Sequence, residues 1–209
     1  MINFSLIETL RCQPGEGFIR LRLHLARLSR SARRLGFPQP INADAKLEAA
    51  VAGATGPLRV RLTFDAQGHI EVTSAAFVPL APDTVWTVRF AETHLDSSDK
   101  LLRVKTTRRA VYEAARAEYA PTEADEVILL NERDEVCEGT ITSIFLDDGT
   151  GILRTPPISC GLLAGVLRTE LICSRKARVG RITLADLDAG TLYIGNSLRG
   201  LIRANLLRN

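Results

Sequence analysis

The chain has 209 residues, 45% hydrophobic and 24% charged, the stock of a globular protein with one large domain or two small ones. A net charge of +3 excludes the dense basicity of a dedicated nucleic-acid binder and suits a small anionic ligand. The four cysteines, Cys12, Cys137, Cys160 and Cys173, have no Cys-x-x-Cys pair and no histidine cluster, which excludes a zinc site or a disulfide framework and leaves reduced, mostly buried thiols.

Residues 2–10 alternate loosely and are rich in strand formers. Glu8 interrupts them where a signal peptide would stay apolar, and no later apolar run approaches a membrane span, so a cytoplasmic protein without a membrane partner is expected. Gln13-Pro-Gly-Glu-Gly17 supplies turn chemistry, and Phe18–Leu21 reads as a returning strand. From Leu21 the period changes: Leu21, Leu25, Leu28, Ala32 and Leu35 form one apolar stripe on a helix that Gly36 and Pro38 end. Its polar face carries Arg22, Arg30, Arg33 and Arg34, and Arg27 stands apart in His24-Leu-Ala-Arg27-Leu28.

A second helix is expected from Ala43 to Ala54, burying Leu47, Ala50 and Val51. Leu58–Phe64 alternates with period two, Asp65-Ala-Gln-Gly68 turns, and Ile70–Ala76 returns as its hairpin partner. Val85–Phe90 reads as a further strand. The polar, aperiodic segment at about 92–100 marks a linker, giving residues 1–95 as a smaller α/β domain and 101–209 as a second domain.

Lys105-Thr-Thr-Arg-Arg-Ala-Val-Tyr112 places a lone lysine just before an amphipathic helix that ends near Pro121. Asp125–Leu130 is a strand, Asn131–Glu135 a charged turn, and Val136–Leu146 its return. Within that return Glu138 is an acid in an otherwise uncharged run, where an unpaired carboxylate is costly to bury. In a regular strand Glu138, Thr140 and Thr142 share a face, which suggests a lined pocket. Gly161-Leu-Leu-Ala-Gly165 then leads into a helix beginning at Val166, and free N–H groups at such a terminus favour a phosphate. Leu192-Tyr-Ile-Gly-Asn-Ser-Leu-Arg-Gly200 reads as a strand and a small polar loop containing Asn196 and Ser197, and Leu201–Leu207 as the apolar final strand.

A lysine able to form a Schiff base and an acid able to keep a ring nitrogen protonated are what a pyridoxal 5′-phosphate site demands. Six stretches occur in the order found in fold-type IV pyridoxal-phosphate enzymes: Phe4–Arg11, His24–Leu28, Lys105–Arg109, Glu138–Thr140, Gly161–Gly165 and Gly195–Ser197. The chain resembles this class IV aminotransferase family, which includes branched-chain aminotransferases, D-amino acid transaminases and 4-amino-4-deoxychorismate lyases. The resemblance implies a mixed α/β, two-domain fold with a smaller N-terminal domain and a larger, β-rich C-terminal domain, and a homodimer acting on an amino-acid-like small molecule. It also implies that Lys105 is the Schiff-base lysine and later the proton-transferring base, and that Glu138 partners the pyridine nitrogen. Arg27, the amides of Gly165 and Val166, and Asn196 with Ser197 would hold the phosphate.

The Lys-Thr-Thr-Arg-Arg context and Tyr112 look most like the lyase branch, which cleaves 4-amino-4-deoxychorismate to 4-aminobenzoate and pyruvate on the folate route. Branched-chain aminotransferases commonly have a tyrosine five positions after the lysine, and here that position is Ala110. Val104 stands where lyase-like relatives often have histidine, and Ser143 where asparagine is common, so the substrate pocket departs from theirs. The alternatives are an aminotransferase of branched-chain or D-amino acids and, from another class, an anion- or RNA-binding module using the arginine-rich helix. The balanced charge and the absence of interleaved aromatics on that helix argue against the last. No metal ligand set is expected, and none of His24, His69 and His94 is assigned a catalytic role.

Overall fold

The computed structural model describes residues 3–208, so the expected strand start at Ile2 lies outside the described residues. The chain folds as two compact units, Met1–Leu80 with Val104–Arg108, and Ala81–Arg103 with Arg109–Asn209.

In the first unit, β1 (Leu6–Gln13), β2 (Gly17–Phe18), α1 (Leu21–Leu35), α2 (Ala43–Val51), β3 (Leu58–Phe64) and β4 (Ile70–Ala76) follow in order. Their strands form a sheet in the order β2-β1-β3-β4 with antiparallel neighbours. The apolar stripe of α1 covers this sheet: Leu28 and Ala32 are buried, and Leu21, Leu25 and Leu35 pack partly buried against the same core as Leu6, Leu10, Val60, Leu62 and Phe64. Each fully buried aliphatic or aromatic side chain contributes about 1.5–3 kcal/mol. The expected return strand shrinks to Gly17–Phe18 because Arg20 turns left-handed (φ 61) and launches α1 at Leu21. The second helix stops at Val51 rather than Ala54, since Ala52 is extended (φ −56, ψ 129) and Gly53 takes φ +76.

Residues 104–108 join this unit through β1. The Ile7 amide donates to the Lys105 carbonyl at 2.9 Å, the Thr107 amide donates to Ser5 at 2.8 Å, and Leu6 bridges Thr106. Val104 is buried in the first unit's core. The strand that carries Glu8 therefore also fixes the backbone of Lys105.

The second unit contains β5 (Val85–Phe90), α3 (Ala110–Ala117), β6 (Glu126–Leu130), β7 (Val136–Gly139), β8 (Ser143–Asp147), β9 (Leu153–Thr155), α4 (Val166–Cys173), β10 (Ala177–Val179), α5 (Leu184–Ala189), β11 (Thr191–Asn196) and β12 (Gly200–Leu206). Its sheet runs β10-β9-β8-β11-β12-β5-β6-β7, and a further β7–β8 pairing joins the last strand back to the third, closing six strands into a ring. The mixed α/β class with a β-rich second part is thus present. Neither β10 nor α5 was expected, although Thr183 and Asp186 form a capping box that was readable at the start of α5.

The return strand expected over Val136–Leu146 is two strands, β7 and β8, broken at residues 140–142. A buried carboxylate pulls that turn out of the sheet. Glu126, 1% exposed, accepts hydrogen bonds from the amides of Thr140 and Ile141 and from the hydroxyls of Thr140 and Thr142 at 2.5–3.1 Å. Thr140 and Thr142 are therefore ligands of Glu126 and do not share a pocket-lining face with Glu138.

Among the described residues no helix is long and apolar enough to cross a membrane. All four cysteines are free, and Cys173 is the exposed one.

Candidate active site

In the first unit the site grows from β1 and α1. His24 and Arg27 are three residues apart on α1 and so share a face, and that face is turned inward: both are buried, as is Glu8 opposite them on β1. Arg27 Nε donates to Glu8 Oε1 at 2.8 Å and Nη2 to Oε2 at 2.6 Å, a two-toothed fork. His24 Nδ1 lies 2.6 Å from Oε2.

Burial works to raise the Glu8 pKa, but the Arg27 charge and hydrogen bonds, with those of His24, more than offset it and hold Glu8 at about 2. At His24 burial wins: it lowers the pKa against the pull of Glu8, and the charges of Arg27 and Lys105 add to the lowering. The ring is then neutral, and since a carboxylate only accepts, Nδ1 carries the proton. The Lys105 charge reaching His24 shows that the fold brings Lys105 and Arg27 into one electrostatic neighbourhood, although 78 positions separate them.

In the second unit Glu138 lies on β7 and is 5% exposed. Its Oε1 accepts from the Tyr112 hydroxyl at 2.7 Å and from the Leu163 amide at 3.3 Å. Gly165 is the N-cap of α4, with no side chain capping it, and Val166, Leu167 and Arg168 in the first turn are all buried. A buried helix start without a side-chain cap presents amides whose partner must come from elsewhere. The Gly165 amide itself donates to Leu163 at 2.9 Å, while a Cβ at Gly165 would come within 2.5 Å of Ser143 Oγ, so the close approach of α4 to β8 requires glycine.

Asn196 spends its side chain on local order. Its carbonyl oxygen accepts from the amides of Leu198 and Arg199, and its nitrogen donates to Ile141 at 3.2 Å, tying the 196–199 loop to the turn after Glu138. Ser197 beside it is buried. Within this unit, then, the Glu138 strand, the Asn196–Ser197 loop and the start of α4 are joined through Ser143 and Ile141.

Sequence reasoning passed over Glu8, His24 and Glu126 as site residues, and gave Tyr112 and Arg109 no role at Glu138. A signal existed for the acids: Glu126, like Glu138, stands in an otherwise uncharged strand, and Glu8 directly follows the apolar pair Leu6-Ile7. For His24 the signal was its three-residue spacing from Arg27.

The residues present fit pyridoxal 5′-phosphate. The buried, uncapped start of α4 suits a dianion, and the buried Glu138, already held by two donors, suits a fixed acceptor for a ring N–H. The Nε–Nη2 edge of Arg27 is committed to Glu8, so that edge does not also hold a phosphate.

The family model for amino-transferase class IV matches residues 5–207. Among solved structures, a candidate amino-acid aminotransferase from Mesorhizobium loti is 49% identical with a TM-score of 0.95, over 98% of this chain and 100% of that one. A 4-amino-4-deoxychorismate lyase from Pseudomonas aeruginosa is 22% identical, TM-score 0.80, over 97% of this chain and 83% of its own. A branched-chain aminotransferase from Thermoproteus uzoniensis, solved with norvaline, is 23% identical, TM-score 0.80, over 97% and 78%. At the two lower identities the likeness is one of fold. No curated protein matches the chain.

Proposed function

The chain belongs to the amino-transferase class IV family, whose members are pyridoxal-phosphate enzymes of the aminotransferase and lyase type, and from that premise we propose that it is the lyase that releases pyruvate from 4-amino-4-deoxychorismate. The observation that carries the cofactor chemistry is Glu138, a buried acid held by a phenol and an amide rather than left unpaired. The lyase branch is supported by Ala110: the first residue of α3 offers no hydroxyl where branched-chain aminotransferases commonly have a tyrosine.

Bound cofactor supplies an electron sink for the carbon next to the substrate nitrogen. In this reading Lys105 would hold the cofactor through its amine and would serve as the base that carries a proton to and from that carbon. Glu138 would accept from the ring N–H and keep that nitrogen charged. Arg27, the Val166 amide at the start of α4 and the Asn196–Ser197 loop would anchor the phosphate, which does not change in the reaction; the Gly165 amide, bonded to the Leu163 carbonyl, shapes that start rather than holding the phosphate itself. Glu8 and His24 keep Arg27 in place. A cytoplasmic homodimer of the folate route is part of the same reading and rests on the family resemblance.

A second reading, amino-acid transamination, is favoured by the 49% identical Mesorhizobium loti protein. One experiment separates the two. Cofactor-loaded protein is offered 4-amino-4-deoxychorismate, and separately branched-chain and D-amino acids with a keto acid. Pyruvate and 4-aminobenzoate release is the expected result; keto-acid-dependent amino transfer without it overturns the lyase assignment. Borohydride reduction should leave the cofactor covalently on Lys105, read by peptide mass spectrometry, and a label on Lys100 or Lys176 would refute the attachment site.

A further inference from the structure

Glu138 is held by a side chain that the family resemblance did not assign to it. Tyr112 is the third residue of α3, and its hydroxyl points at Glu138 Oε1. The phenol is itself held in place. The Arg109 guanidinium lies over its ring, 4.9 Å from the centroid, and donates through Nη2 to the Thr140 carbonyl at 2.6 Å. Thr140 is fixed from its other side by Glu126. A chain of contacts therefore runs from Glu126 through the 140–142 turn, Arg109 and Tyr112 to Glu138, all within the second unit.

Two physical consequences follow. A phenol clamped between a cation and a carboxylate loses its ring and hydroxyl rotation before any ligand arrives, which is the pre-organisation that charge-stabilising sites need. Burial, and then the Glu138 charge, push the Tyr112 hydroxyl well above its usual range, consistent with the protonated phenol that donates to Glu138. The titratable and charged groups around it are Glu138, Arg109 and Cys137.

We propose that Tyr112 is a positioning residue for the reaction: its hydroxyl, steadied by Arg109, fixes the plane and the charge of the Glu138 carboxylate that faces the cofactor ring nitrogen. This rests on the role given to Glu138 above. It accounts for a tyrosine at 112 and an arginine at 109 without either touching substrate.

The test is Tyr112→Phe, which keeps the ring under Arg109 and removes only the hydroxyl, measured beside Glu138→Gln. A hydrogen bond to a charged group sets the scale, so kcat of the loaded Tyr112→Phe enzyme should fall about ten- to a hundredfold with KM little changed. The pH midpoint of its visible cofactor band should move, because the charge facing the ring nitrogen has changed, while its thermal unfolding stays near the parent's. If Tyr112→Phe keeps the parental kcat and band midpoint while Glu138→Gln is crippled, the inference is overturned and the role of Glu138 stands. A loss of kcat accompanied by lower thermal stability and an unmoved band would also overturn it, since that is the signature of packing alone. If Glu138→Gln itself turns over at the parental rate, the role of Glu138 fails first.

Discussion

In the first unit the buried Glu8 carboxylate is met by the Arg27 fork and the His24 ring, whereas in the second the buried Glu126 carboxylate is met by five neutral donors: the amides of Val127, Thr140 and Ile141 and the hydroxyls of Thr140 and Thr142. Composition follows the same division. The first unit has twice as many lysines and arginines as acids, while the second has more acids than bases. A charge-paired acid and its arginine largely cancel, so Glu8 serves to hold the Arg27 guanidinium in place. An acid held by neutral donors keeps its negative charge in place, and Glu138, with its phenol and amide donors, is the member of that group suited to a ring N–H.

The sharpest test of the cationic half compares Lys105→Ala with Arg27→Ala. Lys105→Ala should lose nearly all turnover at any cofactor concentration, because no other group can form the covalent link. Arg27→Ala should weaken cofactor affinity roughly ten- to a hundredfold, the worth of one charge-assisted pair, with turnover largely recovered at saturating cofactor. Cofactor titrations followed by the visible band and by rate provide both readings. Arg27→Lys belongs beside them, since it restores charge to Glu8 but cannot form the fork. An Arg27→Ala protein with parental affinity would remove this arginine from the phosphate site and leave it as the partner of Glu8.

The comparison between the acids is tested by stability. Glu8→Ala leaves Arg27 buried without its carboxylate and should cost about 3–5 kcal/mol in chemical denaturation. Glu126→Ala strands several neutral donors, each costing about 1–3 kcal/mol and not additive, and should also release the 140–142 turn. The two differ in their isosteric variants: Glu8→Gln leaves the buried Arg27 charge without its counter-ion, whereas Glu126→Gln keeps an acceptor oxygen for the neutral donors, so Glu8→Gln should be the costlier of the two. Equal cost for the two glutamine variants would erase the distinction between the acids.

The smallest effect expected is a pH dependence. Glu8 is held at about 2 in the folded protein against an ordinary 4.5, so its contribution is complete above the ordinary value and is lost as pH falls toward 2. His24 is lowered from 6.5, so the unfolded chain takes up its proton first and stability begins to fall as pH drops through that range. Both act in the same direction. Thermal unfolding of the parent should therefore weaken from about pH 6.5 downward, and His24→Gln should flatten the upper part of that slope; an unchanged slope would show that His24 does not titrate between the folded and unfolded states.

Much of the secondary structure was legible because it depends on local period. The stripe Leu21 to Leu35, the alternation of Leu58–Phe64 and the glycine before Val166 each announced an element that formed where expected. Lys105 and Glu138 were visible as residue types out of keeping with their surroundings, a lone amine before a helix and an acid in an apolar strand. What the sequence could not supply was partnership across the chain. That residues 104–108 pack with β1, that Arg27 meets Glu8, that Tyr112 reaches Glu138, and that Glu126 draws two threonines out of a strand all depend on groups from about 14 to 100 positions apart. Periodicity reports which face a residue occupies. Only the packed structure decides which donor satisfies a buried carboxylate, because any of several nearby hydroxyls, amides and guanidinium groups could do so, and tertiary geometry selects among them.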